Sequence, residues 1–258
     1  MTIPPYPQGR GLLKGRKVVV TAAAGGGIGF AVAKRCVEEG AQVTISDIHE
    51  RRLSAAAEKL TELSGQPTTA VLCDVCDEAQ VQRLFEVAIE KMGHVDVLMN
   101  NAGLGGTATV VEMTDAQWDK VIDVSLTGTM RCVRAALRHM QARGSGVVVN
   151  NASVLGWRAQ VGQAHYAAAK AGVMALTRCA AVEAAKYGVR VNAVAPSLAM
   201  HPFLYKVTSA EVLEELTSRE AFGRAAEPWE VANVMAFLAS DYSSYMTGEV
   251  VAVSSQRA

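Results

Sequence analysis

The chain has 258 residues, of which 50% are hydrophobic and 19% are charged, and this composition excludes a disordered protein. Lysine plus arginine and aspartate plus glutamate number 25 each, so the formal net charge is zero. A neutral chain is a poor candidate for broad contact with nucleic acid or with an anionic membrane. The length fits one large domain or two small ones.

Neither the N-terminal segment nor the cysteines indicate export. Residues 1–15 lack the apolar core of a signal peptide, and no stretch reaches the roughly 20 apolar residues of a membrane span. The five cysteines are odd in number and scattered, as in a cytoplasmic protein with reduced thiols. Cys73 and Cys76 form a C-x-x-C pair without further ligands at zinc spacing, so we expect a structural pair and no metal site. Redox or metal chemistry is the alternative.

Short β-branched runs alternate with longer helical stretches along the chain. The predicted strands are Lys17–Thr21, Gln42–Ser46, Ala70–Cys73, Val95–Met99, Val147–Asn150, Val189–Val194 and Glu249–Val253. The predicted helices are Ile28–Glu39, Glu50–Leu63, Glu78–Lys91, Thr114–Arg143, Ala164–Tyr187 and Glu230–Ala239. Thr114 followed by Gln117 indicates a capping box at the start of the longest helix.

This alternation is typical of an α/β fold, with a doubly wound, parallel, seven-stranded sheet covered by helices on both faces. The sequence shows no linker or repeat after residue 15. We therefore expect an N-terminal arm over 1–13 and one domain over 14–258.

A glycine-rich loop follows the first predicted strand and runs directly into a helix. It reads Thr21-Ala-Ala-Ala-Gly-Gly-Gly-Ile-Gly29. Glycines let backbone N–H groups approach a pyrophosphate at a helix N-terminus, where the helix dipole favours an anion. Such turns also occur for steric reasons alone. The residues expected to hold a dinucleotide here are Thr21, Ala23, Gly26, Gly27 and Ile28.

An aspartate at the end of the second predicted strand supports the dinucleotide interpretation. Asp47 follows Gly27 by about 20 residues, the spacing at which a carboxylate binds the ribose hydroxyls. Its charge repels a 2′-phosphate and so favours NAD over NADP, although Arg51 and Arg52 close behind soften that preference. The alternative is that Asp47 only caps the following helix.

Three side chains after the fifth predicted strand form a candidate catalytic group. Tyr166 and Lys170 are an i, i+4 pair on one helical face, and Ser153 precedes them. A free tyrosine, with a pKa of about 10, is a poor acid–base catalyst at neutral pH. The positive charges of Lys170 and of a nicotinamide would lower that pKa by favouring phenolate. Ser153 is placed to hydrogen-bond the substrate oxygen.

At this point the sequence resembles the short-chain dehydrogenase/reductase family over nearly the whole chain. Besides Tyr166-Ala-Ala-Ala-Lys170, Asn100-Asn-Ala-Gly103 is similar to the family's N-A-G turn, Asp74-Val75 to its adenine contact, and Val191–Pro196 to its nicotinamide segment. The resemblance implies a Rossmann-type fold and hydride transfer between a nicotinamide and an alcohol or ketone.

The resemblance also implies a role for each site residue. Tyr166 is the general acid/base, Ser153 polarises the substrate, and Lys170 binds the nicotinamide ribose while tuning Tyr166. The further cofactor-binding residues that it implies are Asp74, Val75, Asn101, Ala102, Gly103, Pro196, Ala199 and His201.

Four departures from the family pattern indicate a divergent subgroup. Ala22 replaces a glycine in a loop that is one residue longer than usual. Ser125 stands where an asparagine normally helps to hold a water of the proton relay, so we expect a working but altered relay. His201 stands in the place of a common threonine, and the ending Val253-Ser-Ser-Gln replaces V-D-G-G. The loop and the ending resemble an actinobacterial branch that degrades steroid-derived or acyl-thioester intermediates.

Residues 197–226 correspond to the family's substrate lid. Together with Trp157, apolar residues such as Phe203 and Leu204 suggest a roomy pocket for a bulky ring or a long acyl group, although they could equally pack the lid onto the core. His165 is expected to face away from Tyr166. Arg131, Arg134, Arg138 and Arg143 form a basic stripe, interpreted as a solvated or subunit-facing surface rather than a thioester-phosphate site.

The sequence thus predicts an NAD-preferring oxidoreductase that interconverts a secondary alcohol and a ketone on a bulky apolar substrate. An NADPH-dependent 3-oxoacyl-thioester reductase is the alternative, and a catalytically weak dinucleotide-binding regulator is the alternative from another class. The resemblance implies a homotetramer or homodimer, paired through the alanine-rich predicted helix Ala164–Tyr187 and the helix before it.

Overall fold

The strands form one all-parallel sheet. The computed structural model describes residues 2–201, 204 and 209–255, and its sheet has the order β3-β2-β1-β4-β5-β6-β7. The strands are β1 (Lys17–Val20), β2 (Gln42–Asp47), β3 (Thr69–Leu72), β4 (Val97–Asn100), β5 (Gly146–Asn151), β6 (Val189–Pro196) and β7 (Val250–Val253). The predicted seven-stranded, doubly wound α/β fold is confirmed, with strand ends shifted by one or two residues.

Helices cover both faces of the sheet. They are α1 (Ile28–Glu38), α2 (Glu50–Ser64), α3 (Glu78–Met92), α4 (Asp115–Ile122), α5 (Gly128–Arg143), α6 (Ala164–Ala185), α7 (Ala210–Ser218) and α8 (Pro228–Ala239). Side chains alternate between two cores: Val18 and Val20 pack with α1 and α8, whereas Val19 packs with α3 and α5. This two-sided burial explains why the strands are almost continuously apolar.

Two features differ from the predicted helices. The long helix expected over Thr114–Arg143 is divided by one turn of π-helix at Asp123–Thr127, while its Thr114–Gln117 capping box is present. Such turns insert one residue into the helical ladder and are frequent at functional sites. Helix α7 lies within residues 197–226, where the sequence predicts no helix.

The N-terminal arm lies along α1. Arg35 donates a 2.7 Å hydrogen bond to the carbonyl of Pro7, and Glu39 accepts from the backbone N–H groups of Arg10 and Leu12 at 2.8 and 2.9 Å. Although burial acts to raise the pKa of Glu39, these N–H groups and Arg35 hold it below its ordinary value. The arm is therefore tied to the helix that follows the glycine-rich loop.

The strand order places the carboxyl ends of β1, β4, β5 and β6 side by side at one edge. The chain direction of the crossovers reverses between β1 and β4, and ligands of open α/β sheets bind at such a switch point. None of the described helices is long and apolar enough to cross a membrane. Within the same residues no three histidine, cysteine, aspartate or glutamate side chains cluster around a metal position.

Candidate active site

The glycine-rich loop leads into α1 without an acidic group to occupy the helix N-terminus. Gly27 is the N-cap residue, and the first turn contains no acidic side chain. A Cβ atom built on Gly29 would lie 2.1 Å from the carbonyl oxygen of Ala22, so only glycine fits there. The loop thus offers an uncompensated positive helix end to an anion.

Ala22 takes the left-handed backbone conformation, with a φ of 52°. The family pattern has glycine at this place, and the structure gives the reason, because L-residues other than glycine are strained in this region. The loop therefore keeps the turn and carries the strain in one residue.

Asp47 joins the end of β2 to the glycine-rich loop. Its Oδ2 accepts a 3.0 Å hydrogen bond from the backbone N–H of Ala24, and its Oδ1 accepts from that of His49 at 3.1 Å. The N-cap residue of α2 is His49, so the alternative of a helix cap at Asp47 is wrong. Burial raises the pKa of Asp47, against the opposing effects of the Ala24 N–H and of Arg52.

A polar network connects the loop to the end of β4. The hydroxyl oxygen of Thr21 accepts hydrogen bonds from the backbone N–H groups of Asn101 and Ala102 at 2.9 and 3.1 Å. The side-chain amide of Asn101 donates in return to the carbonyls of Thr21 and Ala22 at 3.3 and 3.2 Å. The first two predicted cofactor segments are therefore fixed to one another.

The same network continues to α6 through Asn151, a residue that was not among the predicted site residues. The Asn151 amide donates to Oδ1 of Asn101 at 2.9 Å, and the Asn151 carbonyl accepts from Nζ of Lys170 at 2.6 Å. Lys170 is 2% exposed, and this burial lowers the pKa of its ammonium to about 8. The repeated Asn-Asn at the ends of β4 and β5 was the available signal.

Tyr166, Ser153 and Lys170 come together at the start of α6. The Lys170 ammonium lies 5.6 Å from the centre of the Tyr166 ring. In the protein alone burial raises the pKa of Tyr166, and hydrogen bonding to the Ser153 side chain only partly opposes this. Desolvation is thus the largest influence on this pKa in the protein alone, and the expected lowering by the charges of Lys170 and a nicotinamide stays a prediction.

Ser125 occupies the π-helical turn and holds the segment after β4. It is fully buried, and its hydroxyl both accepts from the N–H and donates to the carbonyl of Leu104, each at 2.9 Å. A Cβ atom on Gly103 would lie 3.2 Å from Nζ of Lys170 and 3.8 Å from Oγ of Ser125. Ser125 therefore adjoins Lys170 across Gly103.

The remaining predicted cofactor residues lie along the same edge of the sheet. Asp74 accepts a 2.9 Å hydrogen bond from the N–H of Cys76, and buried Val75 packs where a Cβ on Gly128 would clash. Pro196 ends β6, and Ala199 forms an isolated bridge with Ala226.

His201 packs against the glycine-rich loop. Its ring lies 3.6 Å from a Cβ built on Gly27, and burial lowers its pKa. Its Nδ1 and its carbonyl both accept from the N–H of Leu204, at 3.3 and 3.0 Å. Phe203, the other predicted lid contact, lies outside the described residues.

Trp157 lines a groove on the outer side of α6. The groove has a volume of about 660 Å³, and its lining includes Val110, Val161, Ala167 and Ala168. Trp157 is 52% exposed, and its predicted contact with substrate stays a prediction.

The basic stripe on α5 is largely neutralised within the chain. Arg131 pairs with Asp123 at 2.8 Å, Arg134 with Glu78 at 2.6 Å, and Arg143 with Asp96 at 3.1 Å. Three of the four arginines are thus paired within the chain, so the stripe offers little charge to a phosphate group, and its role as a solvated or subunit-facing surface stays a prediction.

Comparison with known proteins identifies the family. A family model described as enoyl-(acyl carrier protein) reductase matches residues 22–255. The crystal structure of a short chain dehydrogenase from Mycobacterium smegmatis is 57% identical with a TM-score of 0.89, over 100% of this chain and 99% of that one. The chain belongs to the short-chain dehydrogenase/reductase family. This member is an NAD(P)-dependent oxidoreductase that interconverts alcohols and ketones.

Two relatives of this short-chain dehydrogenase/reductase have named activities. A (5R,7aS)-5-hydroxy-7a-methyl-1-oxo-2,3,5,6,7,7a-hexahydro-1H-indene-carboxyl-CoA reductase of Mycobacterium tuberculosis is 63% identical over 96% of this chain and 95% of its own length. A cis-4-hydroxycyclohexanecarboxylate dehydrogenase of Sinomonas cyclohexanicum is 42% identical over 92% and 94%. The predicted resemblance to an actinobacterial branch is confirmed.

The residues of this short-chain dehydrogenase/reductase fit a nicotinamide dinucleotide. The positive end of α1 faces the loop where a pyrophosphate is expected, and the close contact at Gly29 keeps that loop free of side-chain bulk. Asp47 stands at the end of β2, where the family holds the ribose, and Lys170 lies next to Tyr166.

Proposed function

We propose that this chain is an NAD-preferring dehydrogenase that interconverts a secondary alcohol and a ketone on a bulky apolar ring system carrying a carboxyl thioester. The observation that carries the NAD preference is the Asp47 carboxylate, held by the N–H of Ala24 beside the phosphate loop. A fixed negative charge at this position disfavours a ribose with a 2′-phosphate. Cytoplasmic localisation goes with this proposal.

Each residue of the triad performs one task. A bound nicotinamide dinucleotide supplies the hydride acceptor for the alcohol and the hydride donor for the ketone. Tyr166 takes the proton from the substrate hydroxyl in oxidation and returns it in reduction. Ser153 donates a hydrogen bond to the same oxygen and places it at the phenol. Lys170, with a pKa of about 8, is mostly protonated at neutral pH and favours the phenolate of Tyr166.

Ser125 takes part by fixing the segment that lies against the catalytic lysine. Its two hydrogen bonds to Leu104 satisfy the N–H and the carbonyl of this half-buried residue. Gly103, next to Leu104, is in contact range of Lys170 and of Ser125. We assign Ser125 to the proton relay as the residue that stands in for the family's asparagine.

The substrate class rests on the two named relatives and on the lid. Both relatives act on cyclic compounds that carry a hydroxyl group and a carboxyl group or its CoA thioester, as their names state. We assign residues 197–226 as the lid, with Leu204, Phe203 and Trp157 as its predicted substrate contacts. Leu213 on α7 is buried, so part of this apolar set packs the lid onto the core.

A homodimer or homotetramer completes the proposal. The outer face of α6 exposes a row of small and apolar residues, namely Ala168, Ala175, Cys179 and Val182. Small side chains let two helices approach closely, and the groove beside Trp157 continues this face. We assign the face to contact with a second copy of the chain.

An NADPH-dependent 3-oxoacyl-thioester reductase is the second candidate. It is favoured by a 3-oxoacyl-[acyl-carrier-protein] reductase of Thermotoga maritima that is 39% identical over 93% of this chain and 97% of its own length. The positive charge of Arg52 near Asp47 also favours a 2′-phosphate.

The test is a screen of cyclic secondary alcohols and hydroxyacyl thioesters with NAD and with NADP, followed by NADH or NADPH absorbance. We expect turnover with NAD to exceed turnover with NADP at least tenfold. A strong preference for NADP would contradict the NAD-preferring dehydrogenase and favour the NADPH-dependent 3-oxoacyl-thioester reductase. If no substrate is turned over, the dinucleotide-binding regulator is favoured.

Tyr166→Phe then tests the mechanism. It should abolish oxidation while NADH binding, measured by fluorescence, stays within about twofold of wild type. Tyr245→Phe, at a fully exposed tyrosine, is the matched control. Activity that persists in Tyr166→Phe would remove the assignment of the acid/base.

A further inference from the structure

The segment after β4 crosses the catalytic face of α6 with almost no side chains between them. A Cβ atom built on Gly105 would lie 3.8 Å from Cδ2 of Tyr166, and one on Gly106 would lie 3.0 Å from Nε2 of His165. The corresponding distance from Gly103 to Nζ of Lys170 is 3.2 Å. The backbone of this glycine segment, residues 103–106, therefore rests on these side chains of α6 in turn.

Hydrogen bonds hold the glycine segment on both sides of its contact with α6. Ser125 binds Leu104 on one side, as described above. On the other side, Nε2 of Gln163 donates to the carbonyl of Gly106 at 2.8 Å, and the N–H of Ala108 donates to the carbonyl of Gly162 at 3.1 Å. The distance between the glycine segment and α6 is thus set by the side chains of α6 that lie between these two sets of hydrogen bonds.

His165 is the side chain that lies against Gly106. It is 1% exposed, and its Nδ1 has no hydrogen-bond partner among the residues that the structure describes. Burying an unpaired polar nitrogen costs about 1–3 kcal/mol, so stability does not explain an imidazole at this place. The contact with Gly106 gives it a different role, because the ring fills the space between the first turn of α6 and the segment.

We propose that His165 is a positioning residue, and that its contact with Gly106 sets the distance between the glycine segment and the ring of Tyr166. This rests on the proposed function, in which Tyr166 is the acid/base. The segment presents only backbone at Gly105 and Gly106, so the imidazole fixes the width of the opening through which a bulky cyclic alcohol reaches the phenol. His165 acts on substrate placement and not on proton transfer.

A double-mutant cycle tests the contact. Gly106→Ala places a methyl group 3.0 Å from the imidazole and should raise KM for the best cyclic alcohol of the screen about tenfold. The double variant Gly106→Ala/His165→Ala gives that methyl group the vacated space and should recover KM to within about threefold of wild type. Gly105→Ala, whose methyl group makes an ordinary 3.8 Å contact, is the matched comparison and should cost less than Gly106→Ala.

Substitutions of His165 separate positioning from structure. His165→Ala should raise KM three- to tenfold with kcat and its pH profile unchanged. His165→Gln, which keeps the reach toward Gly106, should restore KM, whereas a purely structural role would not distinguish KM from kcat. The NADH dissociation constant should stay within about twofold of wild type in all of these variants.

The outcomes remain distinct from those of the proposed function. A double variant no better than Gly106→Ala, or a Gly105→Ala variant as damaged as Gly106→Ala, overturns the positioning role. If wild type turns over none of the alcohols, the proposed function fails, and the same cycle measured as Tm decides the contact. In the Tm measurements Gly106→Ala should lower Tm more than Gly105→Ala does, and the double variant Gly106→Ala/His165→Ala should recover part of the Tm lost in Gly106→Ala.

Discussion

The ammonium of Lys170 donates a 2.6 Å hydrogen bond to the backbone carbonyl of Asn151 and has its pKa lowered to about 8 by burial. A carbonyl attracts the charged form, but it does not replace the water that the ammonium loses. The folded protein therefore carries a catalytic charge at a cost in stability, and this cost depends on pH.

Lys170→Met should stabilise the protein at pH 7. The pKa of Lys170 falls from 10.5 in the unfolded chain to about 8 in the folded protein. Between these two pH values the unfolded chain binds more protons, so the free energy of unfolding of the wild type increases as the pH rises from 8 to 10.5. We expect the variant to be more stable by about 2 kcal/mol at pH 7, after allowance for the lost hydrogen bond.

Urea unfolding at several pH values measures this difference. The advantage of Lys170→Met should shrink as pH rises from 8 toward 10.5. Lys59→Met, at an exposed lysine of α2, is the control and should show no such trend. A difference that stays constant with pH would contradict the cost assigned to the buried ammonium.

Ala22→Gly should stabilise the protein by about 0.5–1 kcal/mol. Glycine adopts the positive φ of this position without strain, and this gain exceeds the entropy that glycine adds to the unfolded chain. Ala23→Gly is the matched control next to it, since buried Ala23 has no positive φ and should lose stability on the same change. Denaturant midpoints of the two variants should move in opposite directions; a shared loss would show that Ala22 is unstrained.

Ser125→Ala should reduce both stability and kcat. It removes the hydroxyl partner of the N–H and the carbonyl of half-buried Leu104, which costs about 1 kcal/mol. We expect kcat to fall about tenfold as the segment against Lys170 loosens. Thr129→Val removes a neighbouring buried hydroxyl that donates to the carbonyl of Ser125 and does not bind Leu104, so it should lower Tm and spare kcat. If Ser125→Ala and Thr129→Val lower kcat equally, Ser125 has only a structural role.

Asp47→Asn should weaken NADH binding about tenfold and narrow the ratio of NAD to NADP turnover. The change removes the charge that repels a 2′-phosphate while leaving an oxygen for the N–H of Ala24. Burial raises the pKa of Asp47, so this carboxylate is protonated at a higher pH than an ordinary aspartate. As the pH is lowered, the affinity of the wild type for NADH should therefore begin to fall earlier than it would with an ordinary aspartate, and Asp47→Asn should not show this dependence. Fluorescence titration from pH 7 down to 4.5 measures this, with Asp119→Asn on α4 as the exposed control.

The order of strands and helices could be predicted from the sequence because each strand is buried on both faces. In β1, successive side chains pack alternately into the cores on the two faces of the sheet, as Val18, Val19 and Val20 do, so the strand is a continuous apolar run. The π-helical turn at Ser125 could not be predicted, since one inserted residue hardly changes the apolar spacing of a long helix. Helix α7 was missed although Ser209 accepts from the N–H of Val212 as an N-cap.

The residues of the candidate site could be predicted from the sequence, but the contacts between them could not. Thr21, Asp47 and Tyr166 occur in motifs with fixed spacing, so a single sequence is enough to find them. The contact between His165 and Gly106 depends on how two distant segments meet, and helical periodicity alone only indicated that His165 points away from the tyrosine. Asn151 binds Lys170 through its backbone carbonyl, a contact that no side-chain pattern indicates, although the repeated Asn-Asn marked its side-chain link to Asn101.

The all-parallel sheet also has a kinetic consequence. In the first ladder Lys17 is paired with Gln42, 25 residues further along, and in the next Val18 is paired with Val97, so no adjacent pair of strands can form as a local hairpin. Closing such long loops costs chain entropy before any contact repays it, and this slows folding. The central pair β1 and β4, which carries the cofactor edge, must wait until β2, β3 and the helices between them have been synthesised. Until then the valines of β1 are exposed on both faces, so this strand is where a nascent chain most needs protection from aggregation.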